Sequence, residues 1–233
     1  MALYAIGDLH LSTAVDKPMD VFGEAWSNHA SRLADEWSKN VHEDDVVLIP
    51  GDISWGMTLE EAKPDLEWIA ALPGKKIMIR GNHDYWWNGI GKVRNILPDG
   101  MYALQNDSLP LSDCVITGTR GWVLPSHPNF NEEDERILKR EAHRLRLSLE
   151  NAAQHGLPII CMIHYPPIGP GEDTTIFTNI LEEFPVKLCI YGHLHGFAHR
   201  FARNDVHNGI TYQLVSGDFL AFRPFRLERS WYK

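Results

Sequence analysis

Five short apolar runs set the frame of this chain: residues 3–6, 46–49, 77–79, 159–163 and 188–191. Each is too short for a helix and is bounded by Gly, Pro or polar residues, the signature of a buried strand. Between the first three runs the apolar period changes from two to about 3.6. Trp26, Ala30, Leu33 and Trp37 fall on one face of a helix expected over 26–41. Thr58-Leu59-Glu60-Glu61 is a capping-box pattern that opens a second helix, burying Leu59, Ala62, Leu66 and Ile69, and Pro73-Gly74 stops it. The order strand, helix, strand, helix, strand predicts a largely parallel sheet with right-handed crossovers.

Further strands are expected at 101–104 and 114–117, then a long helix over 132–154. Asn131 is its N-cap, acidic residues fill its first turn and Gly156 lies just past its end. Ile137, Leu138, Ala142, Leu145, Leu149 and Ala152 form its buried stripe. A short helix is expected near 177–184. Asn208-Gly209, between runs 199–207 and 210–216, is a two-residue hairpin signal, so the C-terminal part is expected to be antiparallel. A parallel half joined to an antiparallel half predicts two sheets packed face to face with helices outside. No repeat, low-complexity tract or linker interrupts the pattern, and residues 1–233 are expected to form a single domain.

The 44% hydrophobic content allows a substantial core. A net charge of −9, from 22 basic and 31 acidic residues, argues against a non-specific nucleic-acid binder. Small phosphorylated substrates remain open, because bound metal ions can supply the positive charge that the side chains lack. Cys114, Cys161 and Cys189 are odd in number, and two of them sit inside apolar runs. That pattern fits free thiols in a reducing compartment. No stretch approaches the ~20 apolar residues of a membrane span. The first apolar run is too short for a signal peptide, so a cytoplasmic location is expected.

The segments just beyond the strands carry the chemistry: Gly7-Asp8-Leu9-His10, Gly51-Asp52, Gly81-Asn82-His83-Asp84, His164 and Gly192-His193-Leu194-His195. In α/β sheets the site lies beyond the carboxyl ends of the strands. Taken singly, Gly51-Asp52 is a common turn, His164 a core histidine and Gly81-Asn82-His83-Asp84 a helix N-cap. Chance does not put all five at strand ends. Carboxylate, imidazole and amide oxygen without thiolate suit Mn, Fe or Zn. Asp8, His10, Asp52, Asn82, His164, His193 and His195 make more ligands than the three or four of a single zinc. They fit two divalent ions sharing one carboxylate, a device that clamps the attacking and leaving oxygens of a phosphate ester.

In order and approximate spacing this set resembles the calcineurin-like metallophosphoesterase superfamily over about residues 1–220. The resemblance implies an α/β fold, a four-layer α/β/β/α sandwich of two packed mixed sheets flanked by helices. It implies a first ion held by Asp8, His10, Asp52 and His195, and a second by Asp52, Asn82, His164 and His193, with Asp52 bridging. It assigns His83 a catalytic role outside the ligand set, with Asp84 hydrogen-bonded to it and favouring imidazolium. Gly51-Asp52 continues into Ile53-Ser54-Trp55-Gly56 without the second Asp and Arg of the protein serine/threonine phosphatases, which also carry Glu at the place of Asp84. The resemblance is therefore to bacterial-type phosphoesterases and not to the phosphoprotein phosphatase branch.

Substrate recognition is expected from the loops. Trp55, Trp86, Trp87 and Trp122 follow strand ends; most are expected to pack, and Trp55 or Trp122 is a candidate for stacking on a nucleotide-like group. Arg120 is a candidate phosphate clamp. Loops 125–131 and 166–175 border the site, Tyr165 follows His164, and His199 reaches toward the rim. His29, His42, His143 and His155 read as ordinary helix or surface residues. Two function classes compete: a two-metal phosphoesterase acting on monoesters or diesters, and a phosphatase-like scaffold that has lost catalysis. The presence of all seven ligand positions and His83 favours the enzyme. Hydrolysis of a non-phosphate ester is a third reading, disfavoured by Asn82-His83.

Overall fold

The computed structural model describes residues 1–232. In chain order its first half is β1 (Leu3–Ala5), α1 (His29–Asn40), β2 (Val46–Ile49), α2 (Leu59–Ala70), β3 (Lys75–Met78), α3 (Ile90–Ile96) and β4 (Met101–Ala103). The second half is β5 (Ser108–Pro110), β6 (Val115–Thr119), α4 (Glu132–Ala153), β7 (Ile159–Ile163), α5 (Ile176–Glu182), β8 (Val186–Tyr191), β9 (Val206–His207), β10 (Ile210–Leu214) and β11 (Phe225–Arg226). One sheet has the order β11-β1-β2-β3-β4 and the other β5-β6-β7-β8-β10-β9.

Strand period two explains how the sheets stack. In β2, Val47 and Ile49 pack with Leu33 and Trp37 of α1 and Ala62, Leu66 and Ile69 of α2. Val46 and Leu48 point the other way and meet Ile160 and Met162 of β7 and Leu188 and Ile190 of β8. Ile159, Cys161 and Ile163, on the far face of β7, pack under Leu145 and Leu149 of α4 and Phe177 of α5. Three cores between four layers make the α/β/β/α sandwich. Because the strands are buried on both faces they read as continuous apolar runs and not as alternating ones.

The tail departs from expectation. The β9–β10 hairpin is antiparallel, but β10 itself runs parallel to β8. Residues 192–209 between them are long enough for a crossover, which a parallel pair requires. Both sheets are thus parallel inside with antiparallel edges at β11, β5 and β9. Residues Gly196–Phe201 form a 3-10 turn, although the sequence pattern predicts a strand from 199.

The first helix begins at His29, because Asn28 sits in the left-handed region at φ 51° and breaks the run; Trp26 is buried in a 3-10 turn before it. At α2 only half of the expected box forms: Thr58 accepts from Glu61 N–H, but the Glu61 carboxylate takes the N–H of Met57. On α4 the box at Asn131 is complete, and Glu141 and Ser148 are buried while Ile137 is half-buried. The three cysteines are buried free thiols. Among the described residues no helix is long and apolar enough to cross a membrane.

Candidate metal centre

The carboxyl ends of the strands turn sharply where the candidate ligands sit. Asp8, His10, Asp52 and His193 have φ of 54°, 46°, 52° and 73°. Side chains other than Gly rarely adopt this region, and each instance costs on the order of 1–3 kcal/mol. Main-chain bonds between the turns hold them there: Asp8 N–H donates to Gly51 O and His10 N–H to Asp52 O, both at 3.0 Å. Gly51, at φ 94°, lets the turns after β2 and β3 touch, since a Cβ would lie 2.6 Å from Gly81 Cα. A Cβ at Gly192 would collide with the Asp8 carboxylate.

The turns converge. His195 Nε2 lies 3.5 Å from Asp8 Oδ1, and the potential ligand atoms of Asp8, His10 and His195 all fall within 4.8 Å of one another. Asp52 Oδ2 is 3.7 Å from His10 Nε2 on one side and 3.4 Å from His164 Nε2 on the other. Asn82 Oδ1 lies 2.7 Å from His164 Nε2 and 2.9 Å from His193 Nδ1. All seven expected ligand positions are therefore drawn together, with Asp52 between two groups of them.

The donor chemistry fits cations. His164 Nδ1–H donates to Pro50 O at 2.9 Å, and Nε2 of the same ring faces two oxygens, Asn82 Oδ1 and Asp52 Oδ2. An imidazole nitrogen and two oxygens converging in this way are what a divalent ion binds. Electrostatics agree. Burial opposes charge on Asp8, yet His195, His164 and His10 hold its carboxyl below the usual range. Burial, with Asp84 and Asp8 adding, pushes Asp52 up to about 7. Burial and the nearby His164 drop His193 to about 3. Burial also opposes protonation of His195, but Asp8 and Asp218 outweigh it and raise its pKa to about 10. A divalent ion beside Asp8 would take the place of that proton.

Asp84 does not touch His83. Its carboxylate, fully buried, accepts from the N–H groups of Gly81 (2.7 Å), Ile53 (2.9 Å), Asp52 (3.0 Å) and Ser54 (3.3 Å) and from Trp86 Nε1 (3.1 Å). Four backbone donors claim it because the β2 and β3 turns both end facing it, so it ties those turns together and does not orient the imidazole. The expected imidazolium is also not favoured: burial drops the His83 pKa to about 4, and its Nδ1 is buried without a partner. The ring is instead packed against Trp55, 4.5 Å between centroids, and the backbone N–H of His83 donates to Asp52 Oδ1 at 2.8 Å.

The substrate candidates separate. Trp55 borders the centre, stacked on His10 at 5.0 Å, with Lys17 Nζ 5.4 Å from its ring. Trp86 and Trp87 are wholly buried packing residues. Trp122 stands one ring back: it packs on Tyr165, whose ring lies 4.0 Å from that of His193, and its Nε1 donates to Asp134. Arg120 is not a free clamp, being paired with Glu141 at 3.2 Å and stacked on Trp122.

Two acids with buried carboxylates join the site without having been expected there. Asp218 accepts from His195 Nδ1 at 2.9 Å and from Gly196 N–H at 3.0 Å, with His199 Nε2 3.2 Å away. The sequence does carry a signal for it: Ser216-Gly217-Asp218 after β10 repeats the apolar-run, Gly, acid grammar of the other strands. Asp65, inside α2, takes the Thr13 N–H at 2.9 Å and the Ser54 hydroxyl, pinning both loops below the site. His29 is a helix residue, as expected, buried at the start of α1 with its Nε2 3.1 Å from Leu9 O.

The chain is 26% identical over 216 residues to the gene 66 protein of Mycobacterium phage L5, covering 91% of this chain and 88% of that one. It is 26% identical over 146 residues to the uncharacterized protein MJ1445 of Methanocaldococcus jannaschii, covering 57% and 72%. Among solved structures, the phosphopantetheinyl hydrolase PptH of Mycobacterium tuberculosis superposes with a TM-score of 0.55 at 14% identity, over 98% of this chain and 96% of that one. The protein AQ665 of Aquifex aeolicus gives 0.53 at 15%, over 97% and 95%. The calcineurin-like phosphoesterase profile matches residues 1–197, and with most of its length inside that match the chain belongs to the calcineurin-like phosphoesterase family.

Proposed function

We propose that the chain hydrolyses phosphate esters of small molecules, monoesters or diesters, with two divalent ions drawn from Mn, Fe and Zn. The observation that carries this reading is the position of Asp52, one carboxylate oxygen 3.7 Å from His10 Nε2 and 3.4 Å from His164 Nε2. One ion would be held by Asp8, His10, Asp52 and His195, the other by Asp52, Asn82, His164 and His193. Bound there, the ions would bring the pKa of a water toward neutrality and offset the charge of the phosphoryl group.

The chain's own groups do the rest. His83 is a neutral imidazole near pH 7 with an uncommitted ring nitrogen. In this reading it donates a hydrogen bond to a phosphoryl or leaving oxygen and does not deliver a proton from a permanent imidazolium. Trp55 packs against His10 and His83 and forms one wall of the centre. Asp84 fixes the relative position of Asp52 and Asn82 by holding both of their turns.

The test is a metal-titrated assay on a paired aryl phosphomonoester and phosphodiester. Activity is expected with Mn and is lost on chelation. His83→Ala lowers kcat by roughly 10²–10⁴-fold while two ions per chain remain, counted by elemental analysis. A metal-loaded protein that turns over neither ester would sink this reading in favour of a scaffold.

A further inference from the structure

Behind the second candidate ion group, the molecule gathers four arginines around one acid. Glu141, 1% exposed on α4, faces Arg144 at 2.9 Å, Arg120 at 3.2 Å and Arg140 at 3.7 Å, and also accepts from Thr119 Oγ1 at 2.9 Å. The fourth arginine, Arg80, has no ion pair or hydrogen bond to its guanidinium among the described residues, and its Nε is buried without a partner. Arg120 Nε is orphaned in the same way. Nearby Asp107 offers no relief, since its carboxylate is taken by Arg94. Glu141 and, beside Arg80, the buried Asp84 are the acids facing these four guanidinium groups, which leaves a local excess of positive charge in a chain whose net charge is −9. A half-buried guanidinium without a hydrogen-bond partner is costly.

Arg80, Arg120, Glu141 and Arg144, with Gln105 and Thr119, line a cavity of about 20 Å³. That is room for about one water, or for one oxygen of an anionic group entering past Arg144, whose side chain is 33% exposed. The cavity lies at the carboxyl ends of β3, β4 and β6, the same edge as the candidate metal centre. Arg80 is two residues from Asn82, and the carbonyl of Arg120 accepts from Tyr165, whose ring packs on His193.

We propose that Arg80, with Arg120 and Arg144, forms an oxyanion subsite for a second anionic group of the substrate, a phosphate or carboxylate beyond the phosphoryl group that is cleaved. This rests on the phosphoesterase reading above and narrows its substrate class to phosphoesters bearing two anionic groups. Guanidinium groups suit an anionic oxygen because their N–H donors carry a permanent positive charge.

The test compares two aryl phosphodiesters that differ only in a distal phosphate, using metal-loaded wild type, Arg80→Gln, Arg144→Gln and the exposed control Arg136→Gln. Arg80→Gln should lower kcat/KM by roughly 10–100-fold on the ester with the distal phosphate, mainly through KM, and leave the other within about threefold. Arg144→Gln should act in the same direction but less, and Arg136→Gln on neither substrate. Equal losses on both esters, or no loss on either, overturn the subsite. If wild type cleaves neither ester, the phosphoesterase reading fails, and titration with inorganic sulfate still decides the site. Binding of one sulfate, weakened about tenfold by Arg80→Gln, upholds it, whereas equal or absent binding overturns it.

Discussion

Asp218 accepts the Nδ1 proton of His195 at 2.9 Å, and this turns the Nε2 of the same ring toward Asp8, 3.5 Å away. A carboxylate behind a histidine fixes both its tautomer and its aim, and such partners typically tune metal affinity 10–100-fold. Asp218→Ala is therefore expected to weaken Mn binding by roughly that factor, with activity recovering at high Mn. Titration calorimetry separates this from a packing effect: an unchanged Mn affinity with only a lowered Tm would reduce Asp218 to a structural residue.

Asp84 binds five N–H groups and no imidazole, so its removal should unfold before it inactivates. Asp84→Asn keeps the shape but places an amide NH₂ against donors from Asp52, Ile53, Ser54, Gly81 and Trp86. Leaving buried donors unsatisfied costs about 3 kcal/mol. For a chain of this size each kcal/mol shifts Tm by about 2–4 °C, which predicts a fall of roughly 10 °C in thermal melting. If Asp84→Asn melts like wild type and only changes the pH profile of activity, the direct partnership with His83 would return.

Asp52 lies between the two ligand groups, one oxygen 3.7 Å from His10 Nε2 and 3.4 Å from His164 Nε2. Asp52→Asn should weaken both ions together, whereas His10→Ala on one side and Asn82→Ala on the other should each weaken one. Elemental analysis after gel filtration reads the stoichiometry. Two tightly held ions in Asp52→Asn would count against a bridge at this position.

The strand ends are legible because the physics that makes them is local. A buried strand must be apolar on both faces, so the chain announces β2, β7 and β8 as uninterrupted runs, and the residues just beyond them stand at the site edge. β10 carries the same announcement at Gly217-Asp218, but the Asn208-Gly209 turn points to an antiparallel half and hides its carboxyl end. The partner of β10 is set by a crossover, which no local pattern encodes. Asp84 shows a second limit: the sequence places it next to His83, and only the folded turns reveal that four backbone N–H groups reach it first. Likewise Arg120 reads as a free arginine until α4 brings Glu141, fully buried on a helix whose stripe looks apolar, within 3.2 Å of it.

Lys76 offers a prediction away from the centre. It lies in β3, 2% exposed, and its ammonium donates to the carbonyls of Ala70 and Leu72 at the end of α2. Burial lowers its pKa from 10.5 to about 8 in the folded chain. Between those two values the unfolded chain holds a proton that the folded chain has released, so this residue's contribution to stability rises with pH across the window. Below pH 8 both states are protonated and the folded chain carries the full desolvation cost, on the order of 3 kcal/mol. Lys76→Met removes the charge together with two hydrogen bonds, and the loss of those bonds is the same at every pH. The Tm of the variant relative to wild type should therefore be highest near pH 7 and should fall steadily as pH rises from 8 to 10. A Tm difference that stays flat from pH 7 to 10 would show that Lys76 keeps its proton in the fold, stabilised by the α2 carbonyls more than burial disfavours it.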